Sequence, residues 1–390
     1  MEDFNFDTVQ ERKNTNSIKY DFAVARGKRE GLLPLWVADM DFQTPPEVRE
    51  ALVKCAEHGI FGYSEPQAGY YEAVCAWFSK YFGYDTKPEW IVKTPGVVFA
   101  IAVAVRAFAE KGDAVMIQRP VYYPFSAVIL ENKCKLVNNP LVYQDGKYGI
   151  DFEDFERKMV ENRVKLFILC NPHNPVGRVW TREELERIGD ICLKHGCLVL
   201  SDEIHCDFVY APRKHTVFAT IKPEFGENSI ICTAPSKTFN LAGLQVSNVF
   251  IQNAKLRKRF ETESIKTGYS QLNTMGIAAC EAAYRHGSGW LHRLKEYLSE
   301  NIKLVGEFAE RNGIKLIPTE GTYLVWLDFS PLGFSDDELD HLIENKAGLW
   351  LDDGRMFGKE GSGFQRINVA CPRSILADAL SRLEKAITGK

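Results

Sequence analysis

The chain has 390 residues, of which 45% are hydrophobic and 26% charged, and a formal net charge of -4. That composition is globular, and the length suits two domains or one large domain with an appendage. No Lys/Arg-rich run or basic stripe is present, which sets nucleic acid aside as a partner. No apolar run reaches the length of a membrane span, since the run over 97–110 is interrupted by Arg106.

The polar start "MEDFNFDTVQERKNTNS" lacks the basic and apolar regions of a secretory signal, so a soluble cytoplasmic protein is expected. Ten cysteines are present without a C-x-x-C pair, and several sit in apolar runs such as "FILC", where thiols behave as small hydrophobes. Neither a disulfide framework nor a zinc spacing emerges, and no metal is expected.

In chain order, apolar periodicity predicts a helix over 97–111, strands over 113–118 and 134–139, and a helix over 153–161. A strand over 165–170 follows, then a helix over 182–195, opened by the capping box Thr181-Arg182-Glu183-Glu184. Strands over 197–202, 229–234 and 248–253 and a helix over 254–266 complete the middle of the chain. Continuous apolar strands alternating with amphipathic helices predict an α/β fold, with a mostly parallel sheet covered on both faces. Beyond it come a long helix (289–312), short strands in "IKLIP", "TYLVWLDF" and "FQRINVA", and a last helix over 374–387. These read as a smaller α+β domain. The division expected is 46–275 for the large domain, and 1–45 with 276–390 for the small one.

Ligands of open parallel sheets bind beyond the C-terminal ends of the strands. Polar sequences stand at four such ends: Asn171 to Gly177, Asp202 to His205, Ser236-Lys237, and Arg119 to Phe125 with Tyr122 and Tyr123. Singly, each has a plain structural reading as a turn, a helix cap or a packed tyrosine; their coincidence points to a site. Gly96-Val97-Val98 opens the helix at 97, where backbone N–H groups and the helix dipole favour a phosphate, although a simple helix start has the same look. An amine for an aldehyde, a carboxylate for a ring nitrogen, an aromatic for a ring face and a helix N-terminus for a phosphate are together the needs of pyridoxal 5'-phosphate.

"NPHNPVGRVW", "SDEIHCDFVY" and "APSKTFNLAGLQ", in this order, resemble the fold-type I pyridoxal-phosphate enzymes of the class I/II aminotransferase superfamily. With "WVADMDF", "TPGVV" and "PVYYPF", the chain is most similar to their cystathionine β-lyase and cystalysin-like C–S lyase branch. The resemblance implies that Lys237 forms the imine with the cofactor aldehyde and moves protons at the substrate Cα. It implies that Asp202 pairs with the pyridinium and Asn174 with the ring hydroxyl, that Tyr122 stacks on the ring, and that Gly96, Val97, Val98 and Ser236 hold the phosphate. Arg366 would clamp the substrate α-carboxylate, Tyr63 would reach the phosphate of a neighbouring subunit in a homodimer, and Tyr123 would assist the leaving thiolate.

Three positions depart from the wider superfamily pattern. Gln245 stands eight residues after the lysine where an arginine is frequent, Ala234 replaces a phosphate-binding serine, and His205 replaces a tyrosine near the ring hydroxyl. The glutamine and histidine suit the lyase branch. The expected activity is α,β-elimination from cystathionine, cysteine or other S-substituted cysteines, giving pyruvate, ammonia and a thiol. An aminotransferase on the same scaffold is the alternative, followed by a regulatory binding protein that keeps the cofactor fold.

Overall fold

The computed structural model describes residues 4–389; residues 1–3 and 390, the outer ends of the expected small domain, lie outside them. Seven strands form the central sheet: β1 (Ile91–Thr94), β2 (Ala114–Ile117), β3 (Lys135–Asn138), β4 (Leu166–Cys170), β5 (Leu198–Asp202), β6 (Ser229–Thr233) and β7 (Ser247–Phe250). Their order is β1-β7-β6-β5-β4-β2-β3. The pairs from β6 through β3 are parallel, while β7 runs antiparallel to both β1 and β6. The central strands are buried on both faces, which is why they read as unbroken apolar runs. Phe167, Leu169 and Val199 enter the core on one face, and Ile168, Leu200 and Ile230 the core on the other.

The helices follow the same logic. α1 (Pro46–His58) and α2 (Ala68–Phe82) precede the sheet, and α3 (Val97–Phe108) starts directly after Gly96. α4 (Arg182–Lys194) opens on the expected capping box: the Thr181 hydroxyl accepts from the Glu184 amide, and the Glu184 carboxylate accepts from the Thr181 amide. α5 (Thr274–His286) leads into the long α6 (Ser288–Arg311), whose buried Leu291, Leu294, Leu298 and Val305 recur at helical spacing.

A second, four-stranded antiparallel sheet holds β8 (Lys315–Leu316), β9 (Leu324–Asp328), β10 (Asp352–Asp353) and β11 (Phe364–Asn368), in the order β8-β9-β11-β10. α7 (Arg373–Thr388) closes the described chain. N-terminal residues Leu33–Pro34 pair in parallel with Leu349–Trp350, so the first segment of the chain joins the last third. Among the described residues no helix is long and apolar enough to cross a membrane, and no cluster of side chains suits a metal ion.

Residues 36–42, "WVADMDF", form an irregular strap between the two sheets. Asn368 Nδ2 donates to the Val37 and Asp39 carbonyls, and the Tyr323 hydroxyl donates to the Ala38 carbonyl. Asn240 binds it from the other side, accepting from the Met40 amide and donating to the Met40 and Phe42 carbonyls. Asn240 does so from a left-handed backbone (φ 58°), which asparagine tolerates better than most residues. Buried Lys19 and half-buried Arg12 pin the strap's end through Asp41, at 2.8 and 2.7 Å.

Candidate active site

The C-terminal ends of β4, β5 and β6 and the N-terminus of α3 open onto one cavity of about 400 Å³. Its lining includes Gly96, Val97, Val98, Tyr122, Asn174, Asp202, His205, Ser236, Lys237 and Gln245. All but Gln245 are residues the sequence singles out for the cofactor. Parallel strands in register make this happen: Cys170 lies opposite Asp202 and Asp202 opposite Cys232, so the loops that follow leave the sheet at one level.

Lys237 sits in a single helical turn (Pro235–Thr238) just past β6. Its ammonium donates to the Ala38 carbonyl at 2.7 Å. Burial pulls its pKa down to about 8, with Arg366 pulling the same way and Asp39 and Asp202 opposing. Asp202 ends β5 and is buried, with the Ile204 amide on Oδ1 at 3.1 Å. Burial raises its pKa to about 7; the Glu203 charge adds to the rise, whereas the Ile204 amide and Lys237 oppose it. A carboxylate lifted this far by desolvation is one a positively charged partner would stabilise.

His205 is buried, and burial followed by the charges of Lys237 and Arg366 pushes it down to about 3, so it is neutral. Its Nδ1 has no partner among the described residues. Tyr122 is half-buried, and burial pushes its phenol upward. Tyr123 stands beside it, ring centroids 5.4 Å apart, and is 40% exposed at the rim rather than in the cavity lining. Gly96 is in extended backbone, and a Cβ built on it meets nothing within 4 Å, so the start of α3 faces open space.

Arg366 lies on β11, next to the cavity and not in its lining. It is buried, and Nη1 donates to Asn174 Oδ1 at 2.9 Å. This fixes the Asn174 amide: with Oδ1 facing the guanidinium, Nδ2 remains the donor available to the cavity. Tyr63 is the one expected site residue that the single chain leaves apart. It is 97% exposed, in an open hollow shared with Ser64, Tyr269 and Gln245. Gln245 lines both that hollow and the main cavity, so the two adjoin.

The residues present fit pyridoxal phosphate. A buried amine, a buried carboxylate in need of a cation, an unpartnered histidine nitrogen and a helix N-terminus with a serine converge on a cavity large enough for it. Sequence reasoning missed two contributors. The Ala38 carbonyl holds Lys237 and leaves no residue signature, because any residue has a carbonyl. Asp352, the partner of Arg366, lies in a loop sequence rich in glycine and charge, "DDGRMFGKEGSGF", without a period to place it.

Residues 30–383 match the aminotransferase class I and II family, and the chain belongs to that family. Its fold is the α/β fold of fold-type I pyridoxal-phosphate enzymes. It is 43% identical over 386 residues to the cystathionine beta-lyase PatB of Bacillus subtilis, covering 98% of this chain and 100% of that one. Cystalysin from Treponema denticola, whose crystal structure contains pyridoxal 5'-phosphate, superposes with a TM-score of 0.96 at 38% identity, covering 100% of both chains. A pyridoxal-phosphate-bound C–S lyase from Staphylococcus hominis gives a TM-score of 0.92 at 33% identity, covering 99% of this chain and 98% of that one.

Proposed function

We propose that this protein is a pyridoxal-phosphate-dependent C–S β-lyase, which converts cystathionine or other S-substituted cysteines and water into pyruvate, ammonia and a thiol. The observation that carries the chemistry is the convergence of buried Lys237 and buried Asp202 on one cavity; full-length likeness to a cystathionine beta-lyase carries the choice of reaction.

When bound, the cofactor supplies an aldehyde for amines and a ring that accepts the electron pair released at the substrate Cα. Lys237 would hold the aldehyde, Asp202 the ring nitrogen, Asn174 Nδ2 the ring hydroxyl and Tyr122 a ring face. The N-terminal amides at Gly96–Val98 and the Ser236 hydroxyl would hold the phosphate, and His205 would border the ring. Arg366 binds the substrate α-carboxylate and so fixes the direction of the Cα–H bond. Lys237, whose pKa burial lowers to about 8, would take the Cα proton as the neutral amine once the substrate's own amine has replaced it. The Cβ–S electron pair departs with sulfur, and Tyr123 at the rim protonates the thiolate. Water then completes the release of pyruvate and ammonia.

Tyr63 belongs to the same reading. Its exposure, in a hollow that adjoins the cavity at Gln245, suits a homodimer in which a second copy covers the hollow and each Tyr63 reaches the other copy's phosphate. The division into 46–275 and 1–45 with 276–390 is part of this proposal, supported by the pairing of Leu33–Pro34 with Leu349–Trp350. A cytoplasmic setting accords with ten free thiols, eight of them buried. Titration of the purified protein with pyridoxal phosphate tests the cofactor assignment. Wild type should develop the long-wavelength absorbance of covalently held cofactor and Lys237→Ala should not; a variant that keeps both absorbance and turnover would overturn the role of Lys237.

A further inference from the structure

We propose that Asp352 is a positioning residue, which holds the Arg366 guanidinium in place to receive the substrate carboxylate. The proposal rests on the reading of Arg366 as the carboxylate clamp. β10 pairs antiparallel with β11 in a register that sets Asp352 directly opposite Arg366. Cross-strand neighbours on one face are within side-chain reach. Asp352 Oδ2 accepts from Arg366 Nη2, and each side chain is 3% exposed. Among the described residues Arg366 is the one hydrogen-bond partner of the Asp352 side chain.

The count of donors shows what the pairing does. A guanidinium has five N–H groups. In Arg366, Nη2 donates to Asp352 and to the Trp36 carbonyl, and Nη1 donates to Asn174. Nε is buried without a partner, and the Phe357 ring lies 4.8 Å from Cζ and covers one face. Three donors therefore lock the group's plane, and Nε–H and the second Nη1–H are left for a ligand. Asp352 also supplies the counter-charge that a buried guanidinium requires before any substrate arrives. Without it, Arg366 would sit in the core as an uncompensated cation with one locked donor released. Asn174, oriented by Arg366, would loosen with it. Strap residue Trp36 completes the arrangement, so the clamp is assembled from β10, β11 and the N-terminal segment at once.

The test is steady-state kinetics on cystathionine with the cofactor-loaded enzyme, together with inhibition by L-alanine and by L-alaninamide, which lacks the carboxylate. Asp352→Asn keeps the shape and removes the charge; it should raise KM by about tenfold and leave kcat within about threefold. It should weaken alanine and leave alaninamide nearly unchanged, and the buried guanidinium left without its counter-charge should also lower the melting temperature of the folded variant. Asp352→Glu keeps the charge one methylene further out and should raise KM by about two- to fivefold. Arg366→Lys separates the two levels of the argument, because a wild-type KM there would remove the clamp itself. If Arg366→Lys raises KM but folded Asp352→Asn does not, or weakens alanine and alaninamide equally, the positioning role is overturned. Should Asp352→Asn fail to fold, a folded Asp352→Glu with wild-type KM overturns it as well.

Discussion

Lys237 and Asp202 are shifted in opposite directions by one cause, burial beside a cavity at the strand ends. For Lys237 the consequence is kinetic. Below about 8 the ammonium form predominates, and the neutral amine that can attack an aldehyde grows tenfold with each pH unit. Cofactor uptake by the ligand-free protein should therefore accelerate as pH rises from 6 toward about 8 and level off above it, as followed by absorbance in stopped flow. Acceleration that continues to about the ordinary lysine value of 10.5 would show that burial does not act on this amine. The lysine itself is legible in the sequence, because one cation after an apolar strand, flanked by Ser236 and Thr238, has no solvation role. Its hydrogen-bond partner is not, since the Ala38 carbonyl belongs to a strap without a period. Arg366 sits between these cases: its alternation with apolar residues on "FQRINVA" reads equally as an outward strand charge, and only the fold turns it inward.

At the level of elements, the end of β5 is held by Glu203, which follows Asp202 directly. Its carboxylate accepts from the Ser201 hydroxyl at 2.9 Å and the Phe218 amide at 3.0 Å, and pairs with His215 Nε2 at 2.7 Å. This network ties the loop after β5, directly behind Asp202, to the segment before β6. Glu203→Ala would leave these buried partners unpaired and should cost about 3–5 kcal/mol, read as a fall in melting temperature. Retained wild-type stability would mean that the network is dispensable. Six of the seven central strands are legible as apolar runs, and α4 with its capping box, α6 and α7 by the period of their buried faces; β1 is not, because its four-residue run, "IVKT", is too short and too mixed to stand out. α1 is not, because Val48 is its one fully buried residue and its other apolar side chains do not gather into one buried face. The antiparallel course of β7 is also hidden, since an apolar strand buried on both faces looks the same in either direction.

At the scale of the whole molecule, two statements can be tested together. If each site borrows Tyr63 from a second copy, a mixture of Lys237→Ala and Tyr63→Phe chains, unfolded and refolded together, should recover more activity than either variant alone. No recovery from a refolded mixture of dimers would place Tyr63 outside the site. The larger question is which reaction the shared scaffold performs, because Lys237 and Asp202 would begin elimination and transamination alike. Gln245 in place of the superfamily's frequent arginine, and likeness to PatB and cystalysin, favour elimination. The measurement that decides it is pyruvate release from cystathionine by the cofactor-loaded enzyme with no keto acid present. Sustained release over many turnovers, in step with homocysteine and ammonia, is the predicted result. Absence of pyruvate alongside turnover that depends on an added keto acid would contradict the account and assign the protein to the aminotransferases.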